Sequence, residues 1–392
     1  MKRVWNYVLT MWQPAGAFVV GSIIIGMLFS YRVGNLVPGA SQAEINTRTS
    51  SQTLEVILDN PVNAPYKTAQ YISRHVHKSI AVERLISGLA AGLTIVLFYL
   101  IARRFCSQYA ATVSTVMYAL SSSLLANGRM ASAQITLLLL FVLFVCCFHL
   151  RFNKHRTRSW LYSAVILGVA LYTPGLIYFI IAGAIWQYRA VRRDHERPSA
   201  ILLGTWCAVV IVILLPLIIG FVHTPEIWRE YLGIPKSLPN ITSAIKTLLS
   251  VPAGIILVAP KNPLYRLGRQ PLLDIYAAAM LLFGIFALVK RYRLDRLILF
   301  SGIFILSALF TALTGNYETS FILLPFVFLT VGMGIGLLID EWNKVFPFNP
   351  LARWMALVVM TLAVAVSCNF QARRYFIAWP HNATTKATFN IK

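Results

Sequence analysis

The chain has 392 residues, 58% of them apolar and 12% charged, with a formal net charge of +22. The apolar residues come in blocks rather than in helical or strand alternation, and a block of about 20 spans the roughly 30 Å hydrocarbon layer as a helix. That excludes a soluble multidomain protein and predicts an all-α polytopic membrane protein.

In chain order, the basic tip at Lys2 and Arg3 precedes an apolar run as long as a full span, with no small-residue cleavage site after it. A retained first helix is expected, not a removed signal peptide. Eleven spans fit: 12–31, 82–102, 108–126, 131–150, 159–172, 174–188, 199–222, 272–289, 297–314, 319–339 and 353–370. The fifth and sixth meet at Thr173-Pro174-Gly175, a tight break between two shortish helices. With eleven spans, the cation-rich turns at 103–104, 151–158, 187–198, 290–296 and 340–353 share the side of Lys2 and Arg3. The positive-inside rule makes that side cytoplasmic. Loops 32–81 and 223–271 and the tail 371–392 then lie outside a multi-pass plasma-membrane protein, beside a single transmembrane domain over 1–370.

The first outer loop opens on "VPGASQAEINTR", with one acid, Glu44. Apolar spacing predicts a helix over Ala43 to Leu58, a break at "NPVNAP" and a second short helix over Tyr66 to Val76, both lying in the membrane interface. With Ser41 as N-cap, Glu44 falls at the capping-box position and Arg48 becomes its i,i+4 partner. In the second outer loop, Ile245 to Val258 is too short to span and is expected to be re-entrant or interfacial.

The outer loops are also basic, and their cations sit next to the membrane among amphipathic segments. A lipid phosphate fits that placement better than nucleic acid. No acid falls at mid-span, which disfavours an ion-coupled transporter; Glu318 lies in a turn between two spans. The glycine run "GMGIG" at 332–336 is expected to mark close helix packing. His75 and His77 have no paired carboxylate and the five cysteines lack zinc-site spacing, so neither a metal nor another cofactor is expected.

Several stretches resemble the C-type glycosyltransferase superfamily, which includes protein O-mannosyltransferases and lipid A aminoarabinose transferases. "LVPGASQAE" is similar to that superfamily's acidic motif after the first span, "NPVNAPY" to its following proline-rich stretch, and "VERLISGLAAGLTIVLFYLIARRF" to its second span. "YALSSSLLANGRMASAQITLLLL", "WLYSAVILGVALYTPGLIY" and "FILLPFVFLTVGMGIG" extend the likeness over roughly 12–340. The departures are an acidic pair reduced to Ala43-Glu44, Pro174 in place of a lysine, no acid near Ser132 to Gln134, and no arginine-tyrosine before the late-span proline.

The resemblance implies an inverting transfer of a sugar from a polyprenyl-phosphate donor to a glycan, lipid or protein acceptor at the outer face. Glu44 would be the general base. Arg48, Lys67 and Arg84, with Arg266 and Arg269, would be the cations facing the leaving phosphate, or else interfacial cations facing headgroups. The competing classes are a non-enzymatic transporter of lipid-linked sugars and a catalytically inactive relative.

Overall fold

The computed structural model describes residues 19–151, 157–194, 199–235, 239–291 and 294–390. Lys2, Arg3, the start of the first span, Lys236 and much of the turns expected at 151–158, 187–198 and 290–296 lie outside the described residues. The described residues hold helices and no β-strand.

The elements run α1 (Val19–Ser30), then α2 (Gln42–Thr49), α3 (Leu54–Asp59) and α4 (Ala64–Val76) within the first long loop. Helices α5 (Ile80–Phe105), α6 (Gln108–Leu120), α7 (Ser122–Gly128), α8 (Gln134–Arg151), α9 (Thr157–Ala170), α10 (Leu176–Asp194) and α11 (Ala200–His223) follow. The second long loop carries α12 (Ile227–Leu232) and α13 (Ile241–Ile256), and α14 (Ile275–Arg291) and α15 (Leu294–Thr314) follow it. A 3-10 segment (Tyr317–Leu323) leads into α16 (Leu324–Val345). Helix α17 (Pro350–Arg373) passes through a π turn (Arg374–Ala378) into α18 (Trp379–His381) and α19 (Ala383–Thr388).

Each of the eleven expected spans contains a helix, but five of the described helical stretches are long and apolar enough to cross a bilayer by themselves. They are Ile80–Phe105, Ala200–His223, Leu297–Thr314, Tyr317–Val345 and Pro350–His381; a bent pair makes a sixth. That pair is α6 and α7, expected as one helix over 108–126, which turn through 57° at Ser121. The Ser121 hydroxyl stops α6 by restarting the chain: it caps α7 by accepting from Leu124 N at 3.4 Å. The helix expected over Ala43 to Leu58 likewise divides in two. The Ser50 and Ser51 hydroxyls donate back to the Thr47 carbonyl, and Thr53 caps α3 through Val56 N.

The break expected at 173–175 is present: Gly175 adopts φ 73° and the Phe310 ring fills the space a Cβ would need. The glycine run packs as expected, with Gly334 against the Met280 backbone and Gly332 against Ser114. The expected outer tail is not a free end. Tyr375, Trp379 and Phe389 are buried in the core, and the Trp379 indole donates to the Pro263 carbonyl at 3.0 Å.

Candidate active site

Glu44 sits at N3 of α2, and the capping box is complete. The Ser41 N–H donates to Glu44 Oε2 at 2.9 Å, and Glu44 N donates to Ser41 Oγ at 3.4 Å. The cap is only half of its environment. From α5, Arg84 grips the same carboxylate with both arms, Nε to Oε1 at 2.7 Å and Nη2 to Oε2 at 3.0 Å. The turn after α7 adds Ala131 N at 3.1 Å. The bend at Ser121 makes this possible, because it swings residues 129–133 toward the N-terminus of α2. Glu44 and Arg84 are 2% and 1% exposed. Arg84 also donates to the carbonyls of Val33 and Gly39.

The pair corrects the partner expected from the i,i+4 spacing. Arg48 does not meet Glu44; it bonds Glu83 at 3.2 Å, and Arg74 approaches the same carboxylate at 3.5 Å. Arg48 is 42% exposed, so this contact contributes little by itself. Lys67 is buried and donates to the Asn60 carbonyl at 2.7 Å. Burial pulls its ammonium below its ordinary value, opposed by the charge of Glu230. Arg269 is exposed.

Arg266 is placed differently. It is buried, its guanidinium lies over Tyr317 at 4.4 Å and over Phe321 at 5.4 Å, and its Nη1 has no protein partner. Arg374, also buried, lies within electrostatic reach of it. Arg266 is also within electrostatic reach of Glu318, and Arg374 of Asp274, so an incoming anion would meet the spare donor on Arg266 rather than an uncompensated positive field.

Sequence reasoning missed four participants. Arg129, in the short turn after α7, clamps α1 by donating to the carbonyls of Leu28 and Tyr31 and stacks over Phe376 at 5.0 Å. Glu318 takes amide donors from Gln134 and Asn262, with Arg266 in electrostatic reach. Its place in a turn between spans is visible in the sequence, but nothing local links it to Gln134 or Asn262. The Tyr265 hydroxyl lies within reach of Glu318, Ser132 and Glu44; burial first, and then these two carboxylates, push its phenol above the ordinary range, so it remains a donor. Arg374 lay beyond the last expected span.

Beside Glu318 is a cleft of about 370 Å³, lined by Asn63, Gln134, Thr173, Arg229, Glu230, Phe310, Asn316, Glu318 and Thr319 among others. Glu318 opens on the cleft, whereas Glu44 is sealed against Arg84.

Burial alone raises the Glu44 carboxyl, but the bonds and charge of Arg84, with the Ser41 and Ala131 N–H groups, outweigh it and hold the group below its ordinary 4.5. As acid is added, the unfolded chain therefore takes up the proton first. The stabilisation is complete above pH 4.5 and is lost as pH falls through the folded-state value. Thermal unfolding followed from neutral pH down to the onset of precipitation is expected to show a falling midpoint below that point. A variant lacking both charges is expected to fall less steeply.

A family model described as dolichyl-phosphate-mannose-protein mannosyltransferase matches residues 67–220. No curated protein sequence matches. Among solved structures, ArnT from Cupriavidus metallidurans bound to undecaprenyl phosphate is 12% identical, with a TM-score of 0.57 over 95% of this chain and 77% of that one. Its apo state is 15% identical at the same TM-score, covering 96% and 75%. The archaeal oligosaccharyltransferase AglB from Archaeoglobus fulgidus, in complex with an inhibitory peptide and a dolichol-phosphate, is 13% identical with a TM-score of 0.54 over 92% of this chain and 56% of that one. The chain resembles the C-type glycosyltransferase superfamily, as the sequence motifs imply, and shares its helical membrane fold.

Proposed function

We propose that this protein is a membrane glycosyltransferase that moves a sugar from a polyprenyl-phosphate donor to an acceptor hydroxyl at the outer face, with inversion. One observation carries the reading: in a fold shared with ArnT and AglB, the buried Tyr265 lies within electrostatic reach of both Glu44, from the first long loop, and Glu318, and Glu318 in turn faces Arg266, a buried cation holding a spare donor. In the reaction the acceptor oxygen attacks the anomeric carbon, the bond from that carbon to the phosphate oxygen breaks, and its electron pair leaves with the phosphate. The acceptor proton passes to a carboxylate, for which we propose Glu44. Pairing with Arg84 keeps Glu44 ionised near neutral pH, as a base must be, and the pair has to loosen for the proton to arrive.

Arg266 meets the charge that grows on the departing phosphate. The test is transfer from a panel of radiolabelled polyprenyl-phosphate sugars by the purified protein in lipid. Turnover is expected, and Arg266→Gln is expected to lower it by about 10²-fold, the size of a lost transition-state donor. Tight donor binding with no turnover in the unaltered protein would instead identify a carrier of lipid-linked sugars or an inactive relative.

A second reading of Glu44 rests on the same geometry: a carboxylate with both oxygens on Arg84 is the counter-ion that fastens the first long loop to α5.

A further inference from the structure

A second opening lies at the far end of α5 from Arg84 and Glu44. It is a cavity of about 410 Å³ walled by α5, α8, α10, α15 and α16. Its floor is built of rings: Phe300 meets Phe105 at 5.9 Å and Phe326 at 5.6 Å, and Phe141 meets Phe326 at 5.5 Å. The wall carries no charged residue and no hydroxyl or amide side chain. A polar ligand would give up its hydrogen bonds to water there and find few in return, so the occupant is apolar where it touches the wall.

The way the cavity opens narrows the class. Ile298, Ile305 and Leu309 line it from α15 and are each about half exposed, so it is open sideways between helices, toward the bilayer. With Gly302 they follow one face of α15 over eleven residues, roughly 16 Å. That is about half of the roughly 30 Å hydrocarbon layer, the depth of one leaflet.

The end of this groove is charged. Ile101 and Phe105 line the cavity, and Arg104, three residues past Ile101, shares their face of α5, with Arg103 beside it. Both arginines are exposed, and neither has a carboxylate or hydrogen-bond partner among the described residues. Arg291, by contrast, is held by Asp340 and Glu341. Arg104 stands twenty residues along α5 from Arg84, about 30 Å and so one hydrocarbon thickness away. A phosphate paired with Arg103 and Arg104 is therefore a different group from the leaving phosphate of the proposed reaction.

We propose that this groove is a site for one anionic phospholipid of the leaflet on the Arg104 side, with an acyl chain lying along α15 over the phenylalanine floor and the headgroup phosphate on Arg103 and Arg104. The test uses the full chain purified in detergent and titrated with phosphatidylglycerol or phosphatidylcholine of equal chain length. Native mass spectrometry counts the lipid retained, so no outcome depends on turnover. One phosphatidylglycerol per chain is expected to be retained, preferred over phosphatidylcholine by roughly twentyfold, about fivefold for each arginine.

Arg103→Gln with Arg104→Gln is expected to erase that preference and, because both side chains are exposed, to leave the thermal midpoint unchanged. Gly302→Phe is expected to abolish retention of both lipids: a Cβ at Gly302 meets nothing within 4 Å, so the ring enters the groove and not the packed core. Equal retention in the unaltered chain and Gly302→Phe, or a preference that survives the loss of both arginines, would overturn the site. Undecaprenyl phosphate displacing the retained lipid at lower concentration than added phosphatidylglycerol does would give the groove to a polyprenyl chain and would overturn it as well.

Discussion

Replacing Glu44 with glutamine is expected to destabilise the protein before it says anything about catalysis. Arg84 is 1% exposed, and its charge is compensated by Glu44 alone among the groups it bonds; the others are the carbonyls of Val33 and Gly39. Removing one partner of such a pair leaves a buried charge and costs about 3–5 kcal/mol. Arg84→Met is expected to cost a similar amount, because Glu44 then keeps only two backbone N–H donors and the Ser41 hydroxyl. The double variant Glu44→Leu with Arg84→Met removes both charges and replaces them with apolar groups of similar volume, an exchange that is often neutral or stabilising. Its thermal midpoint in detergent is therefore expected to lie above that of either single variant.

That double variant is also the informative background for catalysis. A well-folded protein without transfer supports Glu44 as the base. Transfer retained at the level of the unaltered protein would make Glu44 a counter-ion only, and would shift attention to Glu318, the carboxylate that opens on the cleft.

The parts of this architecture set by local chemistry were legible in the sequence. Hydrophobic blocks located the helices, because lipid leaves the backbone no other way to satisfy its hydrogen bonds. The Ser41–Glu44 capping box and the break at Gly175 follow from residues a few positions apart. The partner of Glu44 was not legible, because Arg84 is forty residues away and reaches it only after the first long loop folds back onto α5. The spacing rule offered Arg48, which the structure gives to Glu83. Glu318, Asn262 and Gln134 come from three distant segments, and no periodicity links them. The bend at Ser121 was hidden for the opposite reason: its serines are small enough to pass within an apolar run, while their hydroxyls cap and redirect the helix.

Adding a methyl group at Gly334 is expected to be among the most damaging small changes in the molecule. A Cβ there would sit 2.0 Å from the carbonyl oxygen of Met280, and one at Gly284 would sit 1.9 Å from that of Thr330. The obstacle in both cases is backbone, so no rotamer change relieves it. Helices α14 and α16 would have to separate by roughly the difference between 2.0 Å and an ordinary contact of 3.4 Å. Small residues let helices approach this closely in lipid, where dispersion at short range replaces the hydrophobic drive between them. Overpacking commonly costs about 1–3 kcal/mol, and Gly334→Ala is expected at the upper end of that range.

The comparison is Gly204→Ala in α11, where a Cβ meets nothing within 4 Å. Removing a helix-interior glycine there is expected to be neutral or to stabilise by up to about 1 kcal/mol. Opposite shifts in thermal midpoint are the expected result; equal shifts would remove the close-packing account. The defect at Gly334 is also expected to reach the site. Helix α16 continues directly from the 3-10 segment carrying Glu318, so moving α16 off α14 displaces that carboxylate from Gln134 and Asn262. Gly334→Ala should therefore lower transfer at temperatures well below its own midpoint, while Gly204→Ala leaves transfer unchanged.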